Sequence, residues 1–378
     1  MSRRIAWLVL FIPLLLAWSY RAAAQEATWR GAARVDAVVA ERMAASGAVG
    51  CAVGVIEDGR LVYLKGFGQA DRENGVPVDS RTLFRWASVS KPITAVVAMQ
   101  LVERGQLDLD RDIRDYVSEF PDKEATITTR QLLCHQGGIV HYTNGKVVRT
   151  ERQYAMPHPF ADVVLALDRF KESPLVNAPG ASFSYTTHGY ILLSAVVERA
   201  GHQRFAEQVA ERVCRPLRLK TLQPDYQWEE LPHRAVGYRK VNDAVVRSTD
   251  TDVSWKLGGG GFISSIEDMA GFAIGVVRHE LVRPVTAEMM WTRQKTSDGK
   301  ETRYGLGFSI GRDADGLVVS HSGAQEKSRT NMVLWPEKSR GIVFMSNSEF
   351  VDSGAITKAI REAAWPMEKD KPAPNRPR

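Results

Sequence analysis

The chain has 378 residues, 44% of them hydrophobic and 25% charged, which is enough to bury a large core and too apolar for a disordered scaffold. Fifty Lys and Arg against 44 Asp and Glu give a formal charge of +6, with much of the excess at the two ends. No basic stripe is left to bind nucleic acid, so that class of partner is excluded.

The N-terminus is set apart. Arg3 and Arg4 precede an apolar run from Ile5 to Trp18, and Ala22-Ala23-Ala24 follows. This pattern predicts a signal peptide over 1–24, because the apolar run is shorter than the roughly 20 residues a membrane span needs. Cleavage after Ala24 removes Arg3, Arg4 and Arg21 and no acid, leaving +3 and a periplasmic or secreted protein without a stable span. At the other end, 366–378 holds four Lys/Arg, two acids and four prolines and reads as a disordered tail.

Residues 33–45 read as an opening helix. Strands over 50–57 and 61–68 follow, joined as a hairpin at Asp58-Gly59. Next comes Ser88-Val89-Ser90-Lys91, then Pro92 to Val102, almost wholly apolar, which predicts a buried helix ended at Gly105. From roughly 105 to 250 the pattern suggests a helical lobe with long connections, its best-marked helix running over 187–200 and stopped by Gly201. After Gly258-Gly259-Gly260-Gly261 a helix is expected over 265–277. Strands over 304–310, 317–321, 331–335 and 341–346 should form an antiparallel meander, which the early hairpin joins to hide its edges. A last helix over 354–365 would cover one face. The expected class is therefore α+β: one domain over 25–365, an antiparallel sheet flanked by helices, with a lobe taken from the middle of the chain.

Three groups of residues carry chemistry. A serine and a lysine three apart at a helix start share one face, giving a nucleophile with its own candidate base at Ser88 and Lys91. The helix N-terminus there favours developing negative charge. Spacing alone does not identify a site, since Ser297-Asp298-Gly299-Lys300 repeats it in a polar, turn-like run with no apolar helix behind. Tyr185 falls just before the helix at Thr187, with its hydroxyl free to face a cleft. His321-Ser322-Gly323-Ala324 ends a strand, where Gly323 would let backbone approach a bound acyl group. Tyr185 or Gly323 alone would pass for an ordinary loop-edge tyrosine or strand-ending turn; their order behind Ser88 gives them weight.

Other candidates fall away. Gly307-Phe308-Ser309-Ile310-Gly311 fits a nucleophile elbow, but that elbow needs a helix after its turn and a further strand follows here. Cys51, Cys134 and Cys214 show no ligand spacing and read as unpaired and buried. His135 and His141 lack a carboxylate or cysteine pattern that would complete a zinc site.

The three groups resemble the serine β-lactamase and penicillin-binding-protein family, in its class C-like branch, over nearly the whole mature chain. That branch carries S-x-x-K, Y-x-N or a variant, and K-T-G or H-x-G in this order. Supporting stretches are Leu132-Leu133-Cys134-His135-Gln136-Gly137-Gly138-Ile139, similar to its L-L-x-H-x-S-G-L, and the run Leu101 to Asp110 that closes the Ser88 helix. Tyr185-Thr186-Thr187-x-Gly189-Tyr190 and Trp255-x-x-Gly258-Gly259-Gly260 resemble in particular the mitochondrial serine β-lactamase-like proteins and their bacterial relatives. Thr187 stands where the pattern has asparagine, and His321 where it has lysine. A fixed cation is thereby exchanged for one expected to titrate near about pH 6.5, which weakens any salt bridge to a penicillin-type carboxylate.

The resemblance implies attack by Ser88 Oγ on a carbonyl to form an acyl-enzyme, with Lys91 and Tyr185 moving protons. The backbone N–H groups of Ser88 and Ala324 would form the oxyanion hole, and no metal or organic cofactor would be needed. Either Lys91 or Tyr185 could be the base: lysine must drop about three units from about 10.4, roughly 4 kcal/mol, to be half neutral at pH 7. The substrate would be a small molecule or peptide with an amide bond, a β-lactam or a D-amino-acid cell-wall peptide. An esterase on the same site and a non-catalytic scaffold are the alternatives. Oligomeric state is left open.

Overall fold

The computed structural model describes residues 29–366. The expected signal peptide and the tail beyond Pro366 lie outside the described residues.

Alternation along one strand builds the two layers. In Gly50–Glu57 the side chains of Cys51, Val53 and Val55 join one apolar cluster, and those of Ala52 and Ile56 join the other. A strand buried on both faces belongs inside a sheet. Asp58 and Gly59, both at positive φ, turn the chain into Arg60–Asp71, forming the expected two-residue hairpin. The seven-stranded sheet runs in the order 76–77, 60–71, 50–57, 340–346, 328–335, 316–325, 309–313, with every neighbouring pair antiparallel. The early hairpin thus joins the late meander through Gly50–Glu57 and Arg340–Ser346.

Helices cover both faces. Val35 and Val39 of Ala32–Ser46, with Ile356 and Ile360 of Ser353–Ala364, pack on Cys51, Val53, Ile342 and Phe344. The opposite face carries Ile266–Val277, whose start is fixed by the Ser265 side chain accepting from the Asp268 N–H. Beyond it lies the main core, crossed by Ser90–Glu103, in which every residue from Ser90 to Leu101 is buried. Over those residues the helix has no solvent face, which is why its sequence is mostly apolar on every side.

The structure departs from expectation in three places. The lobe over 105–250 is not all-helical: from 134 to 186 it holds only two 3₁₀ turns, and it includes a hairpin of Tyr238–Val241 with Ala244–Arg247. Pro and Gly punctuation leaves those stretches without a helical period. The strand expected over 304–310 is Ser309–Asp313, because Gly305 and Gly307 hold the preceding residues in a tight loop under the core. His321-Ser322-Gly323 does not end a strand but lies within Gly316–Gln325, paired with Asn331, Thr330 and their neighbours. Cys51 and Cys134 are buried and Cys214 partly so, and all three are free thiols.

Candidate active site

From Thr82 to Leu101 every residue is buried except Ser88, which is partly exposed. Ser88 lies in the 3₁₀ turn Ala87–Val89 that runs directly into Ser90–Glu103. The turn is held in a conformation it would not adopt freely, since Ala87 has φ +48. Trp86 anchors it at three points. Its N–H donates to Phe262 O at 2.8 Å, its indole N–H to Ser264 Oγ at 2.6 Å, and its carbonyl accepts from Thr330 Oγ1 at 2.8 Å.

Gly323 packs directly on this turn. A Cβ there would lie 2.6 Å from Trp86 O and would also strike Thr330 Oγ1. Glycine is needed so that the strand can press against the turn carrying Ser88.

Lys91 is fully buried, and its Nζ lies 3.1 Å from Ser88 Oγ, 2.7 Å from Gly259 O and 3.4 Å from Thr187 Oγ1. A neutral amine fits these partners. One N–H goes to the Gly259 carbonyl, the other to Thr187 Oγ1, and the lone pair is left for the Ser88 hydroxyl. No carboxylate lies within 4 Å among the described residues. Burial, followed by the charge of Lys256, holds Lys91 well below the usual lysine range. Lys256 is itself buried and comes from the stretch that supplies Gly259.

The Gly258-Gly259-Gly260 run exists because of this packing. A Cβ on Gly258 would meet Ser194 Cβ at 2.6 Å, and one on Gly259 would meet Thr187 Cγ2 at 2.7 Å, so side chains there would push the acceptor carbonyl off Lys91.

Tyr185 is partly buried beside this pair. Its ring lies 4.8 Å from Lys91 Nζ, and the neighbouring Ser88 hydroxyl partly offsets the effect of burial on its titration. Burial raises the Tyr185 pKa above the ordinary tyrosine range, which keeps the hydroxyl protonated. The two candidate bases therefore move in opposite directions.

Thr187 opens the helix Thr187–Ala200 behind the cap Thr186. Its N–H donates to His141 Nδ1 at 3.1 Å, and that of Thr186 donates to His135 Nδ1 at 3.2 Å. Both histidines thus satisfy free N–H groups at a helix start, a structural use that explains their presence without a metal.

His321 departs from its expected behaviour. It is buried, Nδ1 lies 2.7 Å from the acceptor Ser322 O, and Nε2 lies 2.9 Å from the Tyr304 hydroxyl. Nδ1–H therefore donates and Nε2 accepts from tyrosine. Burial and the nearby Lys91 lower the pKa to about 3, so the ring is neutral at physiological pH rather than a cation titrating near 6.5. The substitution of histidine for lysine removes the charge outright.

Ser88, Lys91, Tyr185 and Thr187 form one contact network, and His321 lies at its edge, its ring 6.4 Å from that of Tyr185. Ala324 lines an adjoining cavity of about 570 Å³. Ser297 lies in an exposed turn and Ser309 begins a strand, both apart from the network. Sequence reading missed Lys256, Tyr304 and Gly259 as parts of the site. Lys256 falls inside the quoted Trp255-x-x-Gly258 motif at an unspecified position, whereas Tyr304 carries no local signal.

This architecture is the one penicillin-binding-like proteins share. The structure aligns with the octameric penicillin-binding protein homologue from Pyrococcus abyssi at a TM-score of 0.74 and 24% identity, covering 88% of this chain and 76% of that one. The sequence matches the Beta-lactamase family model over residues 35–364, and the chain belongs to that family. It is 29% identical to the human mitochondrial serine beta-lactamase-like protein LACTB over 345 residues, 70% of this chain and 63% of the relative. It is also 28% identical to esterase EstB of Burkholderia gladioli, over 88% of this chain and 95% of EstB. The chain thus spans under two thirds of the mitochondrial relative's length. Among the described residues no helix is long and apolar enough to cross a membrane.

Proposed function

We propose that the protein is a serine hydrolase that forms an acyl-enzyme at Ser88 and acts on amide bonds, with D-amino-acid or cell-wall peptides favoured over β-lactams. The observation that carries this reading is the 3.1 Å approach of a buried, charge-depressed Lys91 to the Ser88 hydroxyl. Lys91 Nζ takes the Ser88 proton as Oγ bonds to the carbonyl carbon. The oxyanion is received by the backbone N–H groups of Ser88 and Ala324. Collapse of the intermediate breaks the C–N bond. The departing nitrogen takes a proton from the Tyr185 hydroxyl, which is replenished from Lys91. Water, deprotonated by the same pair, then releases the acyl group.

A tyrosine kept protonated beside the nucleophile suits an amide, whose leaving nitrogen requires a proton. β-Lactams are the weaker candidates, since neutral His321 offers no cation to their carboxylate. An esterase is the second reading, favoured by similarity over nearly the full length of EstB. The signal-peptide pattern in the sequence of 1–24 supports action after export, in the periplasm or outside the cell.

The test is labelling with a fluorescent penicillin and a fluorophosphonate, followed by turnover of nitrocefin, a p-nitrophenyl ester and a D-alanyl peptide. Labelling of the native protein, lost in Ser88→Ala and kept in Ser309→Ala, is the expected result. Absence of labelling by both probes would return the protein to the scaffold reading, and ester turnover without peptide turnover would make it an esterase.

A further inference from the structure

The cavity that Ala324 lines is walled by residues that follow or precede the site residues in the chain. His188 follows Thr187, Ala324 follows Gly323, and Lys256 lies three residues before the Gly259 that accepts from Lys91. An acyl group on Ser88 that extends past Ala324 would enter this space.

Three cations line it: Arg149, Arg169 and Lys256. The acid lining it is Glu326, 4.0 Å from Lys256 Nζ and half exposed. Asp252 lies nearby, but its carboxylate caps the Ser254 N–H and hydroxyl at 2.9 and 3.0 Å. Neither Arg149 nor Arg169 has a carboxylate within 4 Å or donates a hydrogen bond among the described residues. Two guanidinium groups facing one cavity with no carboxylate paired directly to either repel each other, and an anion binding between them relieves that repulsion.

Arg169 is also held in place. Its guanidinium carbon lies 4.3 Å from the centroid of the Trp255 ring, a cation–π contact that fixes the plane and leaves the N–H fork free. A planar fork of this kind matches a carboxylate in two parallel hydrogen bonds.

We propose that this cavity is a carboxylate-binding subsite in which Arg169 and Arg149 receive a carboxylate carried by the acyl donor. The subsite deepens the acyl-enzyme reading and rests on it for its role in turnover. It makes acidic acyl groups the preferred substrates and places the discriminating charge in the lobe, away from His321.

The probes are mono-4-nitrophenyl glutarate and its methyl ester, which differ only in the distal charge. Turnover of both is measured in the native protein, Arg149→Gln, Arg169→Gln and the double variant. Binding of glutarate monoanilide and its methyl ester is measured by calorimetry on the same four proteins. Arg149 is exposed, so Arg149→Gln tests the charge without disturbing packing. The expected result is a preference for the charged probe of roughly tenfold, falling to about unity in the double variant and weakening with salt. Equal handling of the two probes by the native protein, or a preference kept in the double variant, overturns the subsite. Failure to turn over either ester counts against the acyl-enzyme reading instead, and the calorimetric ratio then decides the subsite by itself.

Discussion

Lys91 Nζ donates to Gly259 O at 2.7 Å across 168 residues of chain, and this bond aims the amine at Ser88. Because the stretch that supplies the carbonyl also brings Lys256, one element both positions the base and depresses its pKa. Lys256→Gln removes the neighbouring cation and makes protonation of Lys91 easier. The acidic limb of the pH profile of kcat/KM for a neutral ester should then move to higher pH, by about half to one unit. An unmoved limb would show that the Lys256 charge does not reach Lys91.

Lys91 should also cost stability. Its folded pKa is lowered from 10.5, so between the two values the unfolded chain holds a proton that the native state does not. Its native interactions count in full above pH 10.5 and are offset progressively as pH falls. The stability of the native protein relative to Lys91→Met should therefore rise from pH 7 to pH 9, by up to about 1.4 kcal/mol per unit. Urea melts of the two proteins at both pH values measure it, and a difference independent of pH would mean that Lys91 is charged in the fold.

The buried histidines act on the acid side. His321 has a pKa of about 3, and His141 and His188 of about 4, each lowered from 6.5 chiefly by burial. As pH falls from 6.5 toward 4 the unfolded chain takes up protons that these rings refuse, so stability is lost at about 1.4 kcal/mol per unit for each ring. His135, also buried and held well below 6.5, adds a fourth such ring, so acid unfolding near pH 5 should be accompanied by uptake of about four histidine protons, and His321→Gln should remove one of them. The same variant should leave the shape of the pH–rate profile between pH 5 and 8 unchanged, because the native ring is neutral throughout.

What was legible in the sequence was what is local. Ser88 and Lys91 lie one helical turn apart, Asp58-Gly59 specifies its own turn, and the late strands announce themselves by apolar runs with short connections. Lys256 and Tyr304 were not legible, since only the tertiary fold brings them to Lys91 and His321. The titration expected of His321 was wrong for the same reason: a ring's pKa depends on its burial and on Lys91, and neither is written in its sequence neighbours. The stretch over 134–186 had no period to read because it follows the helical core in extended loops and short turns.

Gly323 supplies the sharpest mechanical test. Its missing side chain lets the strand carrying Ala324 lie against Trp86, whose ring, N–H and carbonyl hold the Ser88 turn. In Gly323→Ala the new Cβ meets the Thr330 hydroxyl and the Trp86 carbonyl. The hydroxyl can be removed, but the carbonyl belongs to the backbone. The strand must then move away from the turn, separating the Ala324 N–H from Ser88 while Lys91 and Tyr185 keep their own anchors. The variant should lose about 1–3 kcal/mol of stability, the usual cost of overpacking, and acylation by a penicillin or ester probe should fall by at least tenfold. Adding Thr330→Ala should not restore the rate, because Trp86 O still blocks the Cβ at 2.6 Å. Recovery of acylation in the double variant would show that the hydroxyl alone sets the spacing and that the strand is free to settle against the Ser88 turn without glycine.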